Sequence, residues 1–199
     1  MAGRPRVGVL ALQGDVREHA ALLGELNVDV LSVRNERELS IIDGLVIPGG
    51  ESSVIDKLSR LFGVAEPLSA AIRAGLPVLG TCAGLIMLAR ELSDGISGQR
   101  TFGGLDVTVQ RNAFGSQTES FETDLDVPVL GSTPVHAVFI RAPIVTRAAA
   151  DVTVLSQLDD RRIVAVEQGN VMGLSFHPEM SGERRFHERF LERVRTRLG

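Results

Sequence analysis

The chain contains no tryptophan and no tyrosine, and Cys82 is the single cysteine among its 199 residues. One cysteine excludes an internal disulfide framework and any zinc site built from several cysteines. Lysine is equally scarce, since 20 of the 21 basic residues are arginine, and the net charge is −4. This charge gives no overall positive field to gather a phosphate backbone, so nucleic-acid binding is not expected.

Long apolar runs are also missing. No stretch approaches the ~20 apolar residues that a membrane span needs, and residues 7–12 are too short for the core of a signal peptide. The sequence therefore predicts a protein that does not engage a membrane and works in a reducing compartment, the cytoplasm. Hydrophobic residues make up 44% and charged residues 23% of the chain, a globular balance. The length suits one domain, residues 1–199.

In the first half, short apolar runs alternate with stretches of helical spacing. Strands are predicted at 7–12, 28–33, 44–47 and 76–80, and helices at 17–26, 53–61, 66–74 and 83–92. Continuous apolar strands separated by helices indicate an α/β fold, with a mostly parallel central sheet and helices on both faces. The second half is rich in strands, predicted at 105–110, 120–123, 135–140, 152–158, 162–168 and 171–176, and ends with a helix at 183–198.

The segment around Cys82 has the pattern of a nucleophile held on a tight turn. Gly80 and Gly84 flank the cysteine where a strand gives way to a helix, and glycine permits both the strained turn and the close packing it requires. The start of the helix favours a thiolate, and the NH of Ala83 would point toward an oxyanion formed by attack on a carbonyl. The alternative is a small buried side chain, the usual role of a lone cysteine.

A thiolate nucleophile needs a base, and the chain has four histidines. His19 and His187 lie in predicted helices and are interpreted as solvated residues, while His136 lies in a strand with no nearby acid. His177 differs because it ends a strand and is followed by Pro178 and Glu179. Residues two apart in an extended segment point the same way, so Glu179 can turn back onto the imidazole and fix its tautomer.

A second turn of small residues, 48–53, also stands between a strand and a helix. Its successive backbone NH groups could cradle a carboxylate or an oxyanion. Ser52 or Ser53 could instead be an ordinary helix cap. The turn is not a nucleotide-binding P-loop, because the lysine and the glycine spacing of that motif are absent.

Together these segments resemble the triad-type (class I) glutamine amidotransferases and, more narrowly, the family of glutaminase subunits of pyridoxal phosphate synthase. The matching segments follow the family order over nearly the whole chain: residues 8–19, 48–53, 80–84, 111–115, 139–143 and 175–179. The resemblance implies a flavodoxin-like three-layer fold. The segments around Arg111 and Arg141 distinguish this family from other amidotransferases.

The resemblance implies hydrolysis of L-glutamine to L-glutamate and ammonia without a metal or cofactor. Cys82 would form a γ-glutamyl thioester, His177 would shuttle protons, and Glu179 would hold His177. The implied oxyanion hole comprises Gly49, Gly50 and Ala83. The positions implied for substrate binding are Gly50, Glu51, Ser52, Arg111, Ile140 and Arg141, and a guanidinium suits the α-carboxylate because its planar donors bind a carboxylate bidentately.

The resemblance also implies a partner. The ammonia would pass to the synthase subunit, which builds pyridoxal 5′-phosphate, and the glutaminase would be nearly idle until that partner docks, partly around Gln13–Gly14, and sets the Gly49–Gly50 peptide. The chain departs from the family at Ser116, where a larger polar or basic residue is expected, and over residues 97–104.

Two other functions stay open from the residues alone. One is a thiol hydrolase that cleaves γ-glutamyl bonds without passing ammonia to a partner. The other is a binding or stress-response module whose Cys82 senses redox state and which needs neither His177 nor Glu179. In the last helix four arginines recur every four residues, and we interpret this basic stripe as a solvated helix face rather than a contact for an acidic partner.

Overall fold

The computed structural model describes residues 3–113 and 120–199. Phe114, Gly115 and Ser116, which belong to the motif and the departure named above, lie outside the described residues. The strands are β1 (Arg6–Leu10), β2 (Asp29–Val33), β3 (Gly44–Ile47), β4 (Val78–Thr81), β5 (Ala89–Leu92), β6 (Leu105–Gln110), β7 (Phe121–Leu125), β8 (Val135–Phe139), β9 (Ile144–Ala148), β10 (Thr153–Gln157), β11 (Ile163–Gln168) and β12 (Val171–Leu174). The helices are α1 (Val16–Gly24), α2 (Glu36–Leu39), α3 (Ser52–Leu61), α4 (Ala65–Arg73), α5 (Ala83–Leu88), α6 (Pro178–Ser181) and α7 (Arg185–Leu198), with one 3₁₀ turn at Pro128–Leu130.

One large sheet runs through both halves of the chain. Strands β2, β1, β3, β4 and β12 lie side by side in that order and are parallel. Beyond β12 the sheet continues antiparallel through β11, β9 and β6, ends with β5 parallel to β6, and carries β10 on β11. Strands β7 and β8 form a separate antiparallel pair. The α/β fold is as predicted, but the sheet is parallel mainly in the five strands that carry the candidate site.

The sheet separates two apolar cores. Alternate residues of β3 face opposite sides, Leu45 into one core and Val46 into the other. Ile55 of α3 packs in the first core, together with apolar residues of α2, α4 and α5. Leu23 of α1 and Phe190 of α7 pack in the second. Helices therefore cover both faces, which is why the central strands β3, β4 and β12 are buried along their whole length, whereas the edge strand β2 is partly exposed.

The structure differs from the sequence predictions at several elements. The predicted helix 83–92 ends at Leu88, and residues Ala89–Leu92 form β5, because pairing with β6 overrides their helical propensity. Strand β9 and the short helices α2 and α6 were not predicted. Within the described residues, no helix combines the length and the apolar character needed to cross a membrane.

Candidate active site

Cys82 stands on a strained turn between β4 and α5. Its backbone has φ 49° and ψ −103°, a conformation that residues with a side chain rarely adopt. The turn is packed tightly, since a Cβ at position 84 would lie 2.1 Å from the backbone oxygen of Ile47. Glycine at position 84 therefore lets α5 approach β3. The thiol is 7% exposed and its Sγ lies 3.9 Å from the carbonyl oxygen of Ile140.

His177 reaches this turn because β4 and β12 are neighbours. The parallel register pairs Thr81 with Leu174, so both strands end at the same edge of the sheet. The backbone NH of His177 donates to the carbonyl of Val138 at 2.9 Å, which fixes the residue next to β8. From there the buried imidazole lies close enough to Cys82 for the thiol to contribute to its raised pKa. The structure thus brings together two residues that lie 95 positions apart in the sequence.

The imidazole of His177 is held in its charged form by its neighbours. Its Nδ1 lies 2.7 Å from Oε1 of Glu179, whose side chain is fully buried, and 3.4 Å from Oδ2 of Asp15. Burial alone lowers the pKa of His177, but interactions with Asp15, Cys82 and Glu179 outweigh this effect and raise the pKa to about 12. Burial raises the pKa of the Glu179 carboxyl, and the His177 hydrogen bond opposes that rise. The arrangement is that of a thiol, a base and an orienting acid.

Asp15 is a site residue that was not predicted from the sequence. It directly precedes α1, in the segment 8–19 that carries the family resemblance, and its backbone NH donates to the carbonyl of Gly49 at 3.2 Å. With His177 and Glu179 it forms a group of three side chains close enough to hold a metal ion. Glu179 lies at hydrogen-bond distance from Nδ1 of His177, 2.7 Å, and Asp15 makes a longer polar contact with the same nitrogen at 3.4 Å. The two carboxylates therefore surround one imidazole.

The turn before α3 lies against the imidazole. Gly49 is buried, and a Cβ there would lie 2.4 Å from Cε1 of His177. Gly50 has φ 149°, and the side-chain oxygen of Gln13 accepts a hydrogen bond of 2.6 Å from the NH of Glu51. The cap of α3 is Glu51, which accepts hydrogen bonds from the NH and hydroxyl of Ser53, rather than either serine suggested by the sequence.

The six predicted substrate-binding residues share one small cavity with Cys82. The cavity has a volume of about 50 Å³, and its lining consists of Gly50, Glu51, Ser52, Cys82, Ile86, Arg111, Asn112, Ile140 and Arg141. Ile86 and Asn112 were not predicted. Of the oxyanion-hole candidates, Gly50 lines the cavity, Gly49 touches His177, and Ala83 opens α5, where backbone NH groups lack partners within the helix.

Arg111 is the buried cation of this cavity. Its guanidinium donates to Oε1 of Glu51 at 3.0 Å and to Oε1 of Gln99 at 3.1 Å, and its side chain is 10% exposed. The amide of Gln99 also donates to the hydroxyl of Ser52 at 3.0 Å. Gln99 lies in the stretch that departs from the family pattern and was not predicted as a site residue. Arg141 lies at the exposed rim, with φ 46°.

Three histidine predictions were wrong. His19 and His187 are fully buried rather than solvated, because both lie on the apolar faces of their helices. His136 has acidic neighbours, with its ring nitrogens 3.0 Å from Oδ1 of Asp124 and 2.9 Å from Oε2 of Glu122. These acids come from β7, which pairs with the strand of His136 and so brings distant residues alongside it.

The basic stripe of α7 is largely bound by the chain's own acids. Arg185 pairs with Glu183, and Arg189 donates to Glu167 at 2.6 and 3.0 Å. Arg193 lies 3.1 Å from the same Glu167. The contacts with Glu167 hold α7 against β11, so the stripe is only in part the solvated helix face that was predicted.

Comparison with known proteins gives consistent matches over nearly the whole chain. The model of the SNO glutamine amidotransferase family matches residues 9–196. A protein of Leifsonia xyli subsp. xyli named pyridoxal 5′-phosphate synthase subunit PdxT is 64% identical over 198 residues, which is 100% of both chains. The protein of the same name from Streptomyces coelicolor is 53% identical over 196 residues, covering 98% of this chain and 96% of its own.

Solved structures agree. A crystal structure of a glutamine amidotransferase superposes with a TM-score of 0.88 at 46% identity, covering 94% of this chain and 98% of that one. The PurLQS structure from Thermotoga maritima gives a TM-score of 0.67 at 19% identity, covering 95% of this chain and 98% of that one, a likeness of fold alone.

Proposed function

This chain belongs to the SNO glutamine amidotransferase family, and on that premise we propose that Cys82, His177 and Glu179 are the residues that hydrolyse glutamine. The chain is the glutaminase subunit of pyridoxal 5′-phosphate synthase: it converts L-glutamine and water to L-glutamate and ammonia, which supplies vitamin B6 synthesis. The observation that carries the assignment of residues is the meeting of Cys82 and His177 at the ends of neighbouring parallel strands, with Glu179 on the far nitrogen of the imidazole.

The reaction proceeds in two halves at Cys82. The sulfur, as thiolate, attacks the side-chain carbonyl carbon of glutamine, and the carbonyl oxygen becomes an oxyanion. The imidazolium of His177 gives its proton to the nitrogen as the C–N bond breaks, which releases ammonia and leaves a γ-glutamyl thioester. Neutral His177 then takes a proton from water, whose oxygen attacks the thioester. The C–S bond breaks, and glutamate leaves with Cys82 and His177 returned to their starting state.

Glu179 and the two turns support these steps. A carboxylate on Nδ1 keeps the proton-carrying Nε2 of His177 toward the sulfur and stabilises the imidazolium. Backbone NH groups from Gly49–Gly50 and from Ala83 bind the oxyanion. The Gly49 carbonyl is held by the NH of Asp15 in this structure, and docking of the synthase subunit sets this peptide for catalysis.

The cavity beside Cys82 binds the amino-acid end of the substrate. The pairing of Arg111 with the Glu51 carboxylate at 3.0 Å supports this assignment, because it demonstrates that a carboxylate fits against this guanidinium. In the complex the α-carboxylate of glutamine takes a place on Arg111, and Glu51 faces the α-ammonium group. Ser52, Ile140 and Arg141 line the rest of the cavity.

The same premise supports the remaining expectations. We assign the chain to the class I, flavodoxin-like amidotransferases, with residues 1–199 as one glutaminase domain, since both halves of the chain contribute strands to one sheet. A nucleophilic free thiol requires a reducing compartment, which supports the cytoplasm as the place of action.

Ammonia release from glutamine, measured with and without the synthase subunit, tests the proposal. Cys82→Ala and His177→Asn should each abolish release in the complex, while the exposed His136→Gln should match the parent chain. Retention of activity by both active-site variants would show that the triad is assigned wrongly. Full activity of the isolated chain would instead favour the free γ-glutamyl hydrolase, and a complex without any activity would favour the redox-sensing module.

A further inference from the structure

The carboxylate of Glu179 has a second oxygen that the triad does not use. Oε1 binds His177, whereas Oε2 is buried and has no hydrogen bond of good geometry among residues 3–113 and 120–199. The donor that faces it is Nε2 of His19, at 3.4 Å, and both side chains are fully buried. A buried carboxylate oxygen requires a donor, so His19 is the group that satisfies it.

His19 belongs to a short buried chain of polar groups. Its Nε2 also lies 3.0 Å from the hydroxyl oxygen of Thr81, the residue before Cys82. Its Nδ1 lies 2.9 Å from Nε2 of His187 on α7. The Nδ1 of His187 has no hydrogen-bond partner in the described part of the chain. The series therefore runs from α7 through α1 to the acid of the triad.

These contacts allow two placements of the protons, and one is clearly better. If His187 donates from Nε2, His19 accepts at Nδ1 and donates from Nε2 toward Thr81 and Glu179. If His19 donates from Nδ1, His187 must keep its own proton on Nδ1 as a buried NH without an acceptor, and His19 turns a lone pair toward Oε2 of Glu179. The second placement has an unpaired donor and a repulsive contact, so the first is favoured.

We propose that His19 is a positioning residue of the glutaminase, which donates from Nε2 to Oε2 of Glu179 and is held in that tautomer by His187. The inference rests on the proposed function, since it concerns the acid that orients His177. His19 acts through Glu179 and touches neither substrate nor sulfur. The contact of 3.4 Å shortens when the site engages substrate, as hydrogen bonds of resting active sites commonly do.

The electrostatics of the cluster agree with neutral imidazoles. Burial, with further contributions from His187 and His177, lowers the pKa of His19 well below its ordinary value. Burial lowers the pKa of His187 to about 4, against a smaller opposing effect of Glu183. At neutral pH each ring therefore carries one proton, as the favoured placement requires.

A matched pair of variants distinguishes the hydrogen-bond donor of His19 from the packing contribution of its side chain. His19→Gln places an amide NH at the position of Nε2 and so keeps a donor for Glu179. His19→Asn places an amide oxygen at the position of Nδ1, so the asparagine accepts a hydrogen bond from His187 but offers Glu179 no donor. In the complex with the synthase subunit, His19→Asn should lower kcat by roughly tenfold or more, the cost of losing an outer hydrogen-bond partner of an active site, with KM within about twofold. His19→Gln should stay within about threefold of the parent.

The outcomes are distinct. Equal losses in both variants would indicate a merely structural role and overturn the proposal, as would parental activity in both. Cys82→Ala in the same assay tests the proposed function itself. Ammonia release by this variant would contradict the assignment of the triad, and the tautomer of His19 would then be tested by NMR.

¹⁵N NMR of the parent chain labelled at histidine measures the tautomer of His19 directly, even if the His19→Asn variant does not fold. His136→Gln identifies the signals of the exposed ring. We expect His19 to carry its proton on Nε2 at neutral pH, and a proton on Nδ1 would overturn the proposal.

Discussion

The carboxylate of Asp15 and the carboxylate of Glu179 meet at the same nitrogen of His177. Glu179 lies 2.7 Å from Nδ1 and Asp15 lies 3.4 Å from it. The two acids differ in solvent exposure, because the side chain of Glu179 is fully buried and that of Asp15 is 35% exposed. One imidazole thus has a primary and a secondary acidic partner, and the two can be tested against each other.

The shorter contact should dominate catalysis. We expect Glu179→Gln to lower kcat by about a hundredfold or more, because loss of the orienting carboxylate leaves the imidazolium less stable and its tautomer unfixed. Asp15→Asn should cost less than about tenfold, since Glu179 still holds Nδ1. Ammonia release by the complex at saturating glutamine measures both. A larger effect for Asp15→Asn than for Glu179→Gln would reverse the assignment of the acid.

Gly49 should not tolerate a side chain. An alanine Cβ would lie 2.4 Å from Cε1 of His177 and 2.6 Å from Oδ2 of Asp15, so the imidazole must move. We expect Gly49→Ala to lower kcat by about a hundredfold, the scale associated with misplacing a catalytic group by about 1 Å. Gly24→Ala is the control, because a Cβ there meets nothing within 4 Å, and its kcat should equal that of the parent. Normal turnover by Gly49→Ala would contradict the tight packing against His177.

Arg111 should act on glutamine affinity rather than on the chemical step. Lysine keeps the charge but loses the planar donors that now bind Glu51 and Gln99. We expect Arg111→Lys to raise KM for glutamine by roughly tenfold with a smaller change in kcat. Arg90→Lys is the matched control, since Arg90 pairs with Asp106 at the surface, and it should leave KM unchanged. A fall in kcat at constant KM would assign Arg111 to the reaction itself.

The family and the activity predicted from the motifs are confirmed by the comparisons. The parallel half of the sheet was predictable because its central strands β3, β4 and β12 are buried on both faces and lie within largely apolar runs. Residues 89–92 were mispredicted as helix, since their propensity is helical and only pairing with distant β6 makes them a strand. Long-range pairing of this kind leaves no local signal.

The site was predictable to the extent that glycines and strand ends mark it. The meeting of Cys82 and His177 follows from two apolar strands ending beside each other. The burial of His187 was predictable, because His187 shares an apolar stripe with Phe190, Leu191 and Val194, which lie three, four and seven positions further along the helix. The contact of Asp15 with the imidazole had no signal in the sequence, because it depends on where the loop between β1 and α1 passes the turn at Gly49.

The burial of His187 predicts a loss of stability in mild acid. Its pKa of about 4 in the folded chain lies below the ordinary value of 6.5, so between these values the unfolded chain binds more protons and stability falls as pH falls. We expect the free energy of unfolding to decrease from pH 7 to pH 5 by about 2 kcal/mol less in His187→Leu than in the parent. Urea titration at each pH measures this difference. His136→Gln is the control. Hydrogen bonds with Asp124 and Glu122 raise the pKa of His136 above its ordinary value of 6.5, so its contribution to stability is complete well below 6.5 and is lost as pH rises through the folded pKa. Well below pH 6.5 the slope of stability against pH in His136→Gln should therefore equal that of the parent. An identical acid slope in His187→Leu and the parent would mean that His187 is already protonated, or exposed to solvent, in the folded chain.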